Sequence, residues 1–122
     1  MGCRSMSRRC HHRDCALKLL EKQYPDQHNV KPEFVYCSPH GLGTRDISGM
    51  WDVDIWLPDI GKNIRVACSS HKNMRKTIKE HNLTNKNNYI FNSCFEYYLV
   101  TWQVKKHKML YTFYRLPNVE EI

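Results

Sequence analysis

The stretch over residues 50–69 constrains the fold more than any other part of the chain. It contains two runs, MWDVDIWLP and NIRVACS, in which apolar and polar residues alternate. Alternation with a period of two is typical of a strand that buries one face and leaves the other partly solvated. Only a short polar turn separates the runs, so they predict an antiparallel hairpin. Trp51 is expected in the core, whereas Trp56 is either covered by the C-terminal part of the chain or exposed for a partner.

Helices are predicted on both sides of these strands. The first begins near Arg13, with Asp14 as a cap, and it ends at Pro25. A short strand, PEFVYC, and the glycine-rich loop SPHGLGTRDISG come before the hairpin. Ser69 or Ser70 caps the second helix, whose apolar stripe is Met74 and Ile78. The element order predicts an α+β fold, a two-layer α-β-β-β-α domain over residues 12–84 with an antiparallel three-stranded sheet.

The rest of the chain differs in character from this domain. Residues 1–11 are predicted to be a basic flexible tail. Residues 89–118 contain two aromatic runs, FEYYLVTWQV and MLYTFYRL, joined by KKHK. They predict a C-terminal β-hairpin extension, with a helix in the first run as the alternative. Because an isolated hairpin is only marginally stable, it should pack on or beside the main domain, or meet a partner.

The charge balance favours a polyanionic partner. Lys and Arg number 19 against 12 Asp and Glu, and seven histidines add charge when protonated. RNA, DNA and an anionic membrane all fit this balance. The sequence has no apolar run long enough to span a membrane and no secretory signal, so we expect a cytoplasmic or nuclear protein with reduced thiols. It has no phosphate loop, nucleophile elbow or two-metal carboxylate set, so no enzymatic activity is predicted.

Two weaker features concern metal and lipid. Cys10, His12 and Cys15 cluster near the N-terminus, but a zinc site needs four ligands and no second pair has standard spacing. Cys37 and His40 would complete a site only if the fold brings them close, and burial of Cys15 and Cys68 in the core is the alternative. No cofactor is predicted. Gly2 and Cys3 invite a lipidation hypothesis, but the myristoylation pattern needs Ser or Thr where Met6 stands.

The stretch SSHKNMRKTIKEH at the second helix concentrates positive charge. Lys72, Arg75, Lys76 and Lys79 fall at i, i+3, i+4 and i+7, one exposed stripe opposite the apolar one. Such a stripe is either a phosphate-binding surface or an ordinary solvated face.

Residues 13–82 resemble a double-stranded RNA-binding domain. The combination LLEKQY…KPEFVY is similar to the family's first helix and first strand. The segment from Ser70 to Arg75 is similar to its S-K-K-x-A-K signature, with His71, Met74 and Arg75 as substitutions. The glycine-rich approach to that signature is replaced here by VACS.

The resemblance implies binding of structured RNA by shape and phosphate contacts, without catalysis. It implies three contact regions, whose candidate residues are Lys18 and Glu21, then His40 and Arg45, then His71, Lys72, Arg75 and Lys76. Suppression of RNA silencing or sensing, or an accessory role in RNA processing, would use such binding. The alternative is a protein-interaction module on the same scaffold, which dimerises or docks through the C-terminal hairpin.

Overall fold

A computed structural model describes residues 3–26, 32–36, 51–80, 83–84 and 94–122 of the chain. Its elements in chain order are helix α1 (Cys3–Gln23), strands β1 (Glu33–Tyr36), β2 (Val53–Leu57) and β3 (Lys62–Ser70), a 3-10 turn (His71–Asn73), helix α2 (Met74–Glu80), and strands β4 (Phe95–Lys105), β5 (Lys108–Arg115) and β6 (Glu120–Glu121). Within these residues, no helix is both long enough and apolar enough to cross a bilayer.

The strands form one six-stranded sheet in the order β1-β2-β3-β4-β5-β6. All neighbours are antiparallel except β3 and β4, which run parallel with Ser70 opposite Trp102. A parallel pair needs a crossover connection, because the chain must return to the starting end before the second strand begins. Helix α2 lies in this connection.

The two helices pack on opposite faces of the sheet. On one face, α1 buries Cys15, Ala16, Leu19 and Leu20 against alternate residues of β2, β3 and β4. On the other face, α2 packs Met74 and Ile78 against a second cluster. Its buried members are Trp51, Ala67, Leu83, Tyr97, Leu99, Tyr114 and Leu116. The neighbours Val66 and Ala67 belong to different clusters, as the period of two along a strand requires.

The predicted fold class is therefore wrong. The sheet has six strands and is mixed, whereas the sequence pattern predicts a two-layer α-β-β-β-α unit with an antiparallel three-stranded sheet. Strand β4 is the reason: residues 97–101 are all buried, which is typical of a central strand covered on both faces. It pairs with β3 as an interior strand, so the aromatic hairpin β4–β5 continues the sheet. The two hairpins themselves, β2–β3 and β4–β5, are present as predicted.

The start of α1 and the position of Trp51 differ from what the sequence predicts. Helix α1 begins at Cys3, ten residues before the start that the Asp14 cap predicts. Trp51 is buried as predicted, but it lies in the cluster on the α2 face, away from Val53 and Ile55. Strand β2 begins only at Val53, so the alternation of faces does not extend back to Trp51.

A carboxylate fastens the C-terminal end of α1 to the sheet. Glu96 of β4 accepts hydrogen bonds from the hydroxyl groups of Tyr24 and Tyr98 and from Nζ of Lys62, the last at 2.7 Å. Burial by itself raises the pKa of Glu96, but these three donors outweigh it and lower the pKa overall. The carboxylate stays ionised and fixes the helix end over the start of β3 and β4.

Candidate nucleic-acid interface

The parallel pairing of β3 and β4 places two basic segments at one end of the sheet. The chain leaves β3 at Ser70 and enters His71 and Lys72, while β4 runs past Trp102 towards its own lysines. Nδ1 of His71 lies 3.5 Å from Oγ1 of Thr101, which connects the first segment to β4. We call this surface the basic end. Its exposed members are His71, Lys72, Arg75, Lys76, Lys105, Lys106, His107 and Lys108.

The two basic segments themselves carry no Asp or Glu, although the Asp52 carboxylate lies beside the end of β3 that leads into the first of them. No Asp or Glu occurs over residues 66–79 or 97–119. Lys76 lies 3.8 Å from Glu80, but both side chains are exposed and such a pair contributes little. Acidic residues gather at the opposite end, where β1 starts and β2 and β5 finish. The exposed ones there are Asp26, Glu33, Asp59, Glu120 and Glu121. Lys22, Lys62 and Arg115 are exposed at this end as well, so the two ends differ mainly in their share of carboxylates.

Side-chain hydrogen bonds hold the first basic segment in place. The hydroxyl of Ser70 accepts the backbone N–H of Asn73, which caps the 3-10 turn. The Thr77 hydroxyl donates to Oγ of Ser69 at 3.1 Å and so ties α2 back to β3. Helix α2 has only seven residues, so its cations act as positioned charges rather than through a helix dipole.

The second basic segment lies on an arm that projects beyond the sheet. Strand β3 ends opposite Trp102, but β4 continues through Lys105, about 10 Å further at the usual rise per residue. The tip is a two-residue turn in which Lys106 and His107 both have positive φ, 50° and 65°. Asn-Gly is the preferred pair for such a turn. Lys106 and His107 therefore occupy a left-handed conformation that costs free energy in residues other than glycine.

The other predicted contact residues do not join this surface. Lys18 and Glu21 are exposed on α1, 3.4 Å apart from Nζ to Oε2, and α1 packs on the face opposite α2. His40 and Arg45 lie outside the described residues. The structure thus brings together His71, Lys72, Arg75 and Lys76 and adds the hairpin tip. The KKHK run is visible in the sequence, but only the parallel pairing places it beside the second helix.

Three candidate metal ligands lie close together in the structure. The sequence predicts one of them, His12, whereas no motif spacing indicates Asp52 or Cys68 as ligands. His12 of α1 meets Asp52, just before β2, and Cys68 of β3. Cys15 is buried and hydrogen-bonds the Cys68 thiol. The side chain of Cys10 and all of Cys37 lie outside the part of the chain that is described.

The aromatic residues of the C-terminal hairpin mostly serve the protein's own core. Tyr97, Tyr98 and Tyr114 are buried, and Trp102 packs against the α1-side cluster with Tyr111 and Phe113. The apolar side chains that remain exposed on the arm are Val104 and Leu110.

Comparisons with known proteins give no family assignment. The chain matches no protein-family model, and it has no significant similarity to a curated protein or to a solved structure.

Proposed function

We propose that this protein binds double-stranded or structured RNA, without catalysis, through phosphate contacts made by the basic end. One observation carries the proposal: two basic segments meet at one end of the sheet. Residues 66–79 and 97–119, which include these segments, contain no Asp or Glu. The resemblance of the Ser70–Arg75 segment to an RNA-binding signature agrees with it, although the scaffold around that segment differs.

Phosphate is the ligand that this arrangement suits. Lys and Arg on rigid elements neutralise phosphates and release condensed counterions, and this release dominates the affinity of most nucleic-acid-binding proteins. The cations here stand on two supports, the capped turn before α2 and the projecting arm. Two supports allow contacts on both sides of a groove, which a single stripe cannot make.

Discrimination of RNA from DNA requires more than phosphate contacts. The 2′-hydroxyl is the group that DNA lacks, and it both donates and accepts hydrogen bonds. Asn73 and Gln103 lie among the cations of the basic end and supply amide groups of both kinds. Such binding would serve a suppressor of RNA silencing or sensing, or an accessory subunit in RNA processing.

A fluorescence anisotropy titration tests the proposal. The labelled ligand is an RNA duplex of about 20 base pairs, long enough for a domain-sized footprint, with a DNA duplex of the same sequence in parallel. We expect RNA to bind more tightly than DNA, and tenfold or greater weakening in the double variant Lys72→Glu with Arg75→Glu. Lys22→Glu, an exposed lysine in the last turn of α1 at the other end, is the matched control. Equal binding to both duplexes, or no binding at low salt, would defeat the proposal.

The outer edge of β5 favours a second candidate function, self-association. Strand β6 pairs only with Tyr114 and Arg115, so within the described residues no strand covers the edge of β5 before Phe113. An uncovered edge can pair with a second copy of the chain, and Leu110, 42% exposed, lies along it. Light scattering with size-exclusion chromatography tests this candidate. A monomer at all accessible concentrations would exclude it, and a dimer broken by Met109→Pro, whose backbone N–H lies on the outer side of β5 as Phe113 does, would support it.

A further inference from the structure

Three separate elements bring potential metal ligands to one point beside the basic end. His12 comes from α1, Asp52 from the residues before β2, and Cys68 from β3. Their ligand atoms all lie within 4.8 Å of one another, and Nε2 of His12 is 3.7 Å from Oδ1 of Asp52. Residues so far apart in the sequence have no motif spacing, so only the fold reveals the group.

The carboxylate of Asp52 is already oriented. The backbone N–H of Asp52 donates to the carbonyl oxygen of Val66 at 2.9 Å, which fixes the main chain against β3. The backbone N–H of Cys68 donates to Oδ2 at 2.7 Å. This bond leaves Oδ1 directed at His12. Metal-binding carboxylates are commonly held by such an outer hydrogen bond on the second oxygen.

A second thiol stands next to the group. Cys15 lies one turn along α1 from His12, and its thiol hydrogen-bonds that of Cys68. The donors are then one imidazole, one carboxylate and two sulfurs, a set that suits tetrahedral Zn²⁺. Bond lengths of about 2.0–2.3 Å place neighbouring ligands roughly 3.3–3.8 Å apart in such a site. The ligand atoms of His12, Asp52 and Cys68, all within 4.8 Å of one another, need to approach by up to about 1–1.5 Å, and the Cys15 thiol, which lies outside that group, has to turn towards the ion.

We propose that His12, Asp52 and Cys68, with Cys15 as the fourth ligand, bind a Zn²⁺ ion that ties α1 to the sheet. The side chains of His12 and Asp52 are 12% and 27% exposed, so an ion can enter from solvent. Each thiol that binds gives its proton to solvent as the sulfur–zinc bond forms, with no change of oxidation state. Together with Glu96, the ion would fasten α1 at its middle and at its C-terminal end.

Cobalt(II) titration of the reduced full-length chain tests the site, because Co²⁺ replaces Zn²⁺ and thiolate coordination gives a charge-transfer absorption. We expect one equivalent of Co²⁺ to produce this absorption and tetrahedral visible bands, and Zn²⁺ to bleach them. Cys68→Ser should abolish the charge-transfer absorption or reduce it by half or more. Cys94→Ser, which removes an exposed thiol elsewhere in the chain, should leave it unchanged.

A second variant keeps the test decisive if Cys68→Ser fails to fold by circular dichroism. Asp52→Asn keeps an acceptor for the Cys68 N–H but removes the anionic ligand, and it should weaken Zn²⁺ binding at least tenfold in a competition with a chelating dye. Absence of the charge-transfer absorption in the wild-type chain overturns the proposal. So does an absorption of undiminished intensity in Cys68→Ser, or undiminished Zn²⁺ affinity in Asp52→Asn, since other residues would then be the ligands.

Discussion

Replacement of Glu96 by Gln tests how the C-terminal end of α1 is held. The change preserves shape and removes the charge from a carboxylate that accepts three hydrogen bonds and is 17% exposed. Hydrogen bonds to a charged group contribute about 1.5–3 kcal/mol each. Gln keeps one oxygen as an acceptor and turns the other position into a donor that faces Tyr or Lys donors. Loss of one strong bond and weakening of another give an expected destabilisation of about 2–4 kcal/mol.

The pH dependence of the free energy of unfolding tests the same reasoning independently. Because the folded state holds the pKa of Glu96 below its ordinary value of 4.5, the unfolded state takes up the proton first as the pH falls. The stabilisation is complete above pH 4.5 and is lost progressively below it. Glu96→Gln should therefore be less stable than the wild type at pH 7, and the difference should shrink towards pH 3.

Urea unfolding followed by tryptophan fluorescence measures both effects. Glu120→Gln is the matched control, because Glu120 is exposed and pairs only through the short strand β6. We expect the control to change the free energy of unfolding by less than about 0.5 kcal/mol. If Glu96→Gln cost no more than this control, or if its deficit were the same at pH 3 and pH 7, the reasoning about this carboxylate would be refuted.

Three further substitutions follow from burial and backbone geometry and can be measured by the same unfolding assay. Leu19→Ala, in the α1-side core, should destabilise the protein by about 2–5 kcal/mol, against less than about 0.5 for the exposed Leu110→Ala; similar losses would contradict the core assignment. Gly61→Ala should cost about 1 kcal/mol through its φ of 63° alone, since its nearest neighbour, Trp56, leaves room for a methyl group; no loss would mean that the turn relaxes. His107→Gly should stabilise the chain by about 0.5 kcal/mol, because relief of left-handed strain exceeds the added chain entropy, and it should weaken RNA binding. Unchanged RNA affinity in that variant would remove His107 from the contact surface.

Local patterns predict the elements of this protein well, and the reasons are visible in single residues. Strand alternation finds β2 and β3 because Val53 and Val66 face a core while Asp54 and Arg65 pair on the other face at 3.2 Å. Ser70 is predicted as a cap and accepts the expected backbone N–H. The aromatic runs joined by KKHK form the hairpin β4–β5. Each of these signals depends on contacts that are near in sequence.

The architecture depends on the parallel pairing of β3 and β4, which local sequence patterns do not predict. Residues 66–70 pair with residues 98–102 in parallel, across more than thirty positions of chain. An antiparallel arrangement of the same strands would bury the same side chains. The continuous apolar run YYLV is the one sequence sign of a central strand, yet a buried edge strand or helix gives a similar run. The basic end arises from this long-range pairing, and the His12, Asp52 and Cys68 group arises from the docking of α1 beside β2 and β3.

The most direct test of the central claim is the salt dependence of RNA-duplex binding in variants of each basic segment. The wild type is compared with Lys72→Glu plus Arg75→Glu, with Lys105→Glu plus Lys106→Glu, and with all four changes together. Each neutralised phosphate contributes roughly 0.9 to the slope of log affinity against log salt. We predict that each double variant lowers the slope by about 1–2, that the quadruple variant lowers it further, and that Lys22→Glu leaves it unchanged. A normal slope in the hairpin variant, or an equal loss in the Lys22→Glu control, would show that the two segments do not form one RNA-binding surface.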